Sequence, residues 1–406
     1  MKLQTAQTVK VRPLMALLLF GGFLSLFNET ILNVALSPLM AQFQVSATTV
    51  QWLSTGYVLV VAIMVPSSAF LLHRFSTKHL YIGAMAFFLA GTAIAAGAGN
   101  FPLLLTGRMV QAIGTGLLAP IMINTALAIY PREKHGLVMG ICTCVILVGP
   151  SVGPIVAGVV LQYFSWRALF IMLLPFTLLC MAGAARVMGC TIELTQPQLD
   201  VRSVLGSSLG FALLVGGMSS IGSGLPGGVT LLLFAAGLLS LALFGRRQLR
   251  LQVPMLDIRT FQKPYFSLGA ILVMTIQMVQ FSLNILLPLL FEEGQGLSSL
   301  SSALLLLPAV LVCSVMTVVA GRFYDQVGGK VLIPLGLLVM TVGLALLGQI
   351  QPGTSLSHIA ALNTLVYFGI SLAWSPNQSN ALRQLPGFRQ ADGVAILNTL
   401  IQLGLP

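Results

Sequence analysis

Two ionisable side chains stand inside long apolar runs of this 406-residue sequence, Glu29 and Arg108. Ionisable groups are costly in hydrocarbon, so one kept there marks an ion or substrate path or a bond across a helix bundle. A carboxyl held between a dehydrating environment and a cation can load and release a proton as those surroundings change. The alternative is a fixed Glu–Arg pair that only joins two helices. Glu29 lies about seven residues before the outer end of the first apolar run, or about 10 Å at 1.5 Å per residue. Arg108 lies a similar distance after the outer loop at 99–101, so the two share a depth. Asn33 follows Glu29 by one helical turn, and Gln111 follows Arg108 by one. Asn28 adjoins Glu29.

Further along, Gln277, Gln280 and Asn284 are spaced to share one helical face, with Met274, Met278 and Phe281 nearby. Uncharged amides on one stripe suit either a cavity wall or hydrogen-bonded glue between helices. Gly149-Pro150-Ser151-Val152-Gly153-Pro154, followed by Gly158, combines small residues that permit close backbone approach with prolines that interrupt the helical ladder. The five cysteines are scattered through apolar sequence, and the four histidines lack metal-ligand spacing. No G-x-x-x-x-G-K-[ST] loop for nucleotide phosphate occurs. Uphill transport would then draw on an ion gradient or a partner. Paired catalytic acids, a metal constellation and a nucleophile with its base are all lacking, which argues against an enzyme.

The elements that position these residues follow from composition. Apolar residues make up 57% of the chain and charged residues 7%, too few charges to cover a soluble surface. The sequence reads as an all-α integral membrane protein with the lipid bilayer as its solvent. Apolar runs predict helices over 14–36, 50–71, 80–99, 103–130, 136–161, 167–188, 203–222, 228–245, 265–290, 300–321, 331–349 and 357–379, with a partial thirteenth from 389. With a cytoplasmic N-terminus, eighteen of the twenty Lys and Arg residues fall in inner loops, as the positive-inside rule requires. The net charge of +11 is thereby explained by topology, without nucleic acid. Residues 69–78 and 321–330 resemble each other at an offset of 252 residues, which points to two related halves. The division expected is an N-terminal six-helix bundle (1–188), an inserted two-helix segment (189–250) and an incomplete C-terminal bundle (251–406).

Several motifs then coincide. Residues 27–36 (FNETILNVAL) are similar to the first-helix signature D-x-T-I-V-N-V-A-L-P of the major facilitator superfamily's fourteen-span drug:proton antiporters, the EmrB/QacA type. Gln51-Trp52 and Tyr57 fit the second helix. Arg108-x-x-Gln111-Ala112-x-Gly114 resembles R-x-x-Q-G-x-G of the fourth. Gly149-Pro150-x-x-Gly153-Pro154 resembles the antiporter motif of the fifth, and Trp166-Arg167 the start of the sixth. Leu199-Asp200 and Pro254-Met255-Leu256-Asp257 fit the segments flanking the inserted pair. The family's Asp is Asn28 here, and the acid is Glu29, an N-E-T version that resembles the lincomycin-exporter branch. The first cytoplasmic loop motif has His73 and Ser76 in place of its Asp and second Gly, whereas the second copy keeps Gly321, Asp325, Gly328 and Lys330.

The resemblance implies a major facilitator fold in the cell membrane that exports amphipathic or cationic drugs in exchange for protons. Glu29 and Arg108 would couple protons, and Asn33, Gln111, Gln277, Gln280 and Asn284 would line the substrate path. The energy source would be the proton gradient, with no cofactor and no metal. Relative to a fourteen-span relative, most of the thirteenth helix and all of the fourteenth are absent from the sequence. A shortened, inactive or accessory membrane protein is therefore the competing expectation.

Overall fold

The computed structural model describes residues 11–188, 200–220, 226–252, 254–351 and 353–403. Among them the secondary structure is helical throughout. Thirteen helical segments follow in order: α1 (Val11–Phe43), α2 (Ala47–Arg74), α3 (Thr77–Ala96), α4 (Phe101–Ile129), α5 (His135–Tyr163), α6 (Arg167–Val187), α7 (Val201–Ser220), α8 (Gly227–Arg250), α9 (Pro264–Glu292), α10 (Ser299–Val327), α11 (Gly329–Leu347), α12 (Leu356–Arg383) and α13 (Gln390–Leu403). Twelve long segments and a short thirteenth match the apolar runs, with α1, α8 and α10 continuing past the expected 36, 245 and 321. Eleven are long and apolar enough to cross a bilayer, and α7 is a shorter apolar helix.

Local chemistry sets the ends. Ser46 and Ser298 cap α2 and α10 by accepting the Thr49 and Ser301 N–H groups, each at 3.2 Å. Gln44, in the left-handed region at φ 53°, closes α1. Within α1, the residues just after Glu29-Thr30-Ile31 tighten into a 3₁₀ turn, Leu32–Ala35. A 3₁₀ stretch inside a long helix often marks a hinge.

The helices gather into two compact units. The first holds Met1–Ile129, Gly149–Arg259 and Phe388–Thr399; the second holds Tyr130–Val148, Thr260–Gly387 and Leu400–Pro406. The dividing point Val148/Gly149 thus falls inside α5, at its first Gly-Pro step. In the first unit, α4 packs on α3 and α2, and α7 pairs with α8. Leu231, Leu232 and Leu238 of α8 are exposed, as a helix facing lipid requires. In the second unit, α12 packs on α9, α10 and α11 around Ile276, Phe291, Cys313, Val366 and Trp374.

The segments flanking the inserted pair are tied down by polar contacts. Asp200, just before α7, accepts two hydrogen bonds from the Arg247 guanidinium at 2.6 and 2.9 Å. Those bonds hold its carboxyl down at about 2, against the opposing effect of partial burial. Gln248 donates to Ser203 Oγ at 2.6 Å and accepts the Met255 N–H at 2.8 Å. Asp257 pairs with Arg389 at 2.9 Å. Leu199 lies outside the described residues.

Candidate functional site

The fourth-span arginine is wholly buried in the first unit, at 0% exposure. Its guanidinium donates to the backbone oxygens of Asn28 (3.2 Å), Glu29 (3.5 Å) and Leu53 (3.5 Å), and to Gln111 Oε1 (2.9 Å). It also lies over the Tyr57 ring, with Cζ 4.0 Å from the centroid. Such a contact contributes about 2 kcal/mol when desolvated. Gln111 passes the network on by donating to Thr92 Oγ1 of α3 at 2.7 Å. The Tyr57 hydroxyl meets Thr115 of α4 and accepts from Asn28 Nδ2 at 3.1 Å.

The shared depth of residues 29 and 108 is therefore present, but the contact runs to the Glu29 backbone. Among the described residues no ion pair joins the Glu29 carboxylate to the guanidinium. Carbonyl dipoles, an amide and an aromatic face hold the cation instead. Glu29 is half-buried as a residue, and none of the guanidinium's hydrogen bonds goes to its carboxylate.

Asn28 and Asn33 sit differently. Asn28 is buried with its Oδ1 unpartnered. Asn33 is exposed and accepts a bond from Ser54 of α2 at 2.8 Å. Beyond Glu29 the helix tightens into the 3₁₀ turn Leu32–Ala35, which carries Asn33.

The Gly-Pro segment of α5 lies against α1 at this place. Pro154 has no N–H, so the Pro150 carbonyl lacks its helical donor. Thr30 Oγ1, next to Glu29, donates to that carbonyl at 2.9 Å. A Cβ on Gly153 would meet Thr30 Oγ1 and would sit 2.9 Å from the Phe27 carbonyl; one on Gly149 would sit 3.0 Å from Leu26 Cβ. Both glycines admit the α1 backbone carrying Glu29. A Cβ on Gly158 would meet nothing within 4 Å, so close packing does not explain that glycine.

The loop motifs work at helix ends. Asp325 accepts from the Gly136 and Leu137 N–H groups, at 2.7 and 2.8 Å, and so caps α5. Carboxylates are favoured at that positive end of a helix. Gly321 lets α10 approach the Gly136 backbone, Gly328 ends α10 at φ 77°, and Lys330 is exposed. In the first copy, His73 Nε2 faces Asp392 Oδ2, in the first turn of α13, at 3.7 Å.

In the second unit, Asn284 is exposed and accepts from the Tyr367 hydroxyl at 2.7 Å. Gln280 is half-buried and also reaches that hydroxyl, and Gln277 is half-buried on the same face. Sequence reasoning passed over Thr30, Tyr367, Trp374 and Gln378 as candidates. The missed signal for the last three is that α12 is the least apolar of the eleven long helices.

With this geometry in place, comparison with known proteins is informative. A profile of the Major Facilitator Superfamily matches residues 18–405. The chain is 40% identical over 398 residues to the lincomycin resistance protein LmrB of Listeria monocytogenes, covering 98% of this chain and 84% of the relative. It is 40% identical over 403 residues to LmrB of Bacillus subtilis, with the same coverages. In structure it is similar to the human organic anion transporter MFSD10, with a TM-score of 0.70 at 13% identity, covering 98% of this chain and 91% of that one. The last likeness bears on fold alone. An all-helical fold, a matching profile and relatives at 40% identity together make this chain a member of the Major Facilitator Superfamily, a multi-span membrane transporter.

Proposed function

We propose that this chain is a drug exporter of the fourteen-span EmrB/QacA type, exchanging drug for protons by alternating access in the plasma membrane, with its N-terminus cytoplasmic. Glu29 is the proton carrier in this reading. The observation that carries it is that Arg108 is satisfied by carbonyl oxygens, Gln111 and Tyr57, which leaves the Glu29 carboxylate without an ion-pair partner among the described residues. A carboxylate fixed in a salt bridge would resist protonation; one set beside a cation but not bonded to it can exchange its proton. The adjoining 3₁₀ turn and the Thr30–Pro150 bond connect its segment to α5, so a movement of either changes the carboxylate's surroundings. The 40% identity to proteins named for lincomycin resistance supports a drug as substrate.

The test is Glu29→Gln in inverted vesicles. Drug-dependent proton movement is expected to vanish while the protein still inserts at wild-type levels. Coupled transport that persists undiminished in this variant refutes the role.

A further inference from the structure

α8 ends in Arg246-Arg247-Gln248-Leu249-Arg250, and no acid stands anywhere in that helix. Like charges one turn apart repel, so Arg246 and Arg250 need a reason. The arginines around them have partners inside the protein. Arg247 is held by Asp200, and Arg259 donates to the carbonyls of Leu249 and Leu251 at 2.9 and 3.0 Å, covering the open end of α8. Asp257 is taken by Arg389. Among the described residues Arg246 and Arg250 join no ion pair, and both are exposed.

Their direction says where a partner must lie. Gly237, Phe244 and Gln248 form the buried side of α8, set against α7: a Cβ on Gly237 would sit 2.9 Å from Leu214 Cγ, and Gln248 bonds to Ser203. At about 3.6 residues per turn, Arg246 and Arg250 fall on the opposite side of the helix. Leu232, Leu239 and Leu243 fall there too, and all three are exposed. α8 is also the least covered of the eleven long helices. Its outer side is therefore an apolar track, about 16 Å from Leu232 to Leu243 at 1.5 Å per residue, that ends in two cations.

Where track and cations meet, the surface is concave. Leu243, Arg246, Arg247, Arg250 and Leu251 line a cavity of about 290 Å³. Its wall is apolar toward the middle of the helix and cationic at the helix end. A guanidinium fork matches phosphate oxygens in a bidentate way. Basic pockets at the ends of membrane helices suit anionic headgroups. A soluble anion would use the cations and leave the leucines bare, whereas a phospholipid uses both.

We propose that Arg246 and Arg250 hold the phosphate of an anionic phospholipid, with its acyl chain against Leu243, Leu239 and Leu232. The lipid belongs to the leaflet at the arginine-bearing end of α8, the cytoplasmic one in the topology proposed above. The inserted helix pair is then a lipid-binding element, whether or not the chain exports drugs.

The experiment measures lipid binding to the purified full chain, stripped of lipid in detergent, by mass spectrometry of the intact complex and by melting temperature. The probes are phosphatidylglycerol, phosphatidylcholine and free glycerol phosphate. Phosphatidylglycerol is expected to bind more tightly than phosphatidylcholine and to raise the melting temperature, and free glycerol phosphate to leave it unchanged. Arg246→Gln and Arg250→Gln are each expected to weaken phosphatidylglycerol binding about 10-fold. The double variant is expected to bind it no better than phosphatidylcholine. Its lipid-free melting temperature is expected to stay level or rise, since a like-charge pair is relieved. Arg202→Gln removes an exposed arginine at the start of α7, outside the cavity, and is expected to bind as wild type does. Arginines that serve only the helix dipole would give the opposite signature, a lower lipid-free melting temperature with unchanged lipid affinity. The proposal is overturned by that signature, by Arg202→Gln weakening binding equally, or by glycerol phosphate binding as tightly as the lipid. Should the double variant fail to insert, the two single variants carry the test.

Discussion

Thr30 completes a helix that is not its own. Its hydroxyl donates to the Pro150 carbonyl, which Pro154 leaves without a backbone donor. The residue beside Glu29 is thereby bonded to α5 where α5 is weakest.

Thr30→Val removes the donor at nearly constant volume. The expected cost is about 1–2 kcal/mol, because a half-buried carbonyl is left unmet. Thr30→Ser keeps the hydroxyl and is expected to restore most of the loss. Thermal unfolding in detergent, run beside drug-driven proton flux, checks both.

Gly153 and Gly158 are expected to part company. Gly153→Ala places a Cβ against Thr30 Oγ1 and the Phe27 carbonyl, the second being backbone that cannot rotate away. Transport should fall at least 10-fold, and adding Thr30→Ala should rescue only part of it. Gly158→Ala meets nothing within 4 Å and is expected to be silent. Equal effects at the two positions, read as drug accumulation in a pump-deficient host, would contradict this packing.

The cage around Arg108 can be dissected at Tyr57. Tyr57→Phe keeps the ring and loses the bonds to Asn28 and Thr115, an expected cost of about 1–3 kcal/mol. Tyr57→Leu also loses the ring face and is expected to cost about 2 kcal/mol more. Arg108→Lys should be worse than Tyr57→Phe, because a compact ammonium cannot span four oxygens in different directions. Melting temperatures of the three variants give the order.

Asp200 sets a pH limit on the inserted pair. Its carboxyl is held at about 2, below the ordinary range for an aspartate, by hydrogen bonds from Arg247. A lowered value in the folded protein means the bond's contribution is complete above about pH 4 and lost as pH falls toward about 2. Arg247→Gln should flatten that dependence. Unfolding followed from pH 5 downward, wild type against variant, measures the difference.

Much of the fold was legible in the sequence, for a physical reason. Apolar runs of membrane length leave few alternative readings, and thirteen runs became thirteen helical segments. The Arg108–Gln111 bond was likewise foreseeable from a three-residue spacing on a regular helix. What surrounds Arg108 was not, because backbone carbonyls at residues 28, 29 and 53 carry no side-chain signature. The 3₁₀ turn that carries Asn33 was not foreseeable, because apolar periodicity does not announce such a turn. The Thr30–Pro150 bond was partly foreseeable: prolines at 150 and 154 imply an orphan carbonyl at 150, though not which hydroxyl answers it. The twelfth span's cluster of Trp374, Ser375, Asn377, Gln378 and Ser379 was visible and passed over, because attention to charge obscured neutral polarity.

The two loop motifs differ in what mutation can do to them. Asp325 grips main-chain amides of residues 136 and 137, and every amino acid except proline supplies that amide. The grip therefore makes no demand on the side chain at 137, whereas at 136 a Cβ would meet the Gly321 carbonyl and Asp325 itself, so glycine is required there. His73 faces the Asp392 carboxylate at 3.7 Å, so either codon can remove that approach alone, and a carboxylate at 73 would set like charges together. One repeat thus carries an anchor read through main chain, free to drift at 137 and held to glycine at 136, while the other sets two side chains against each other.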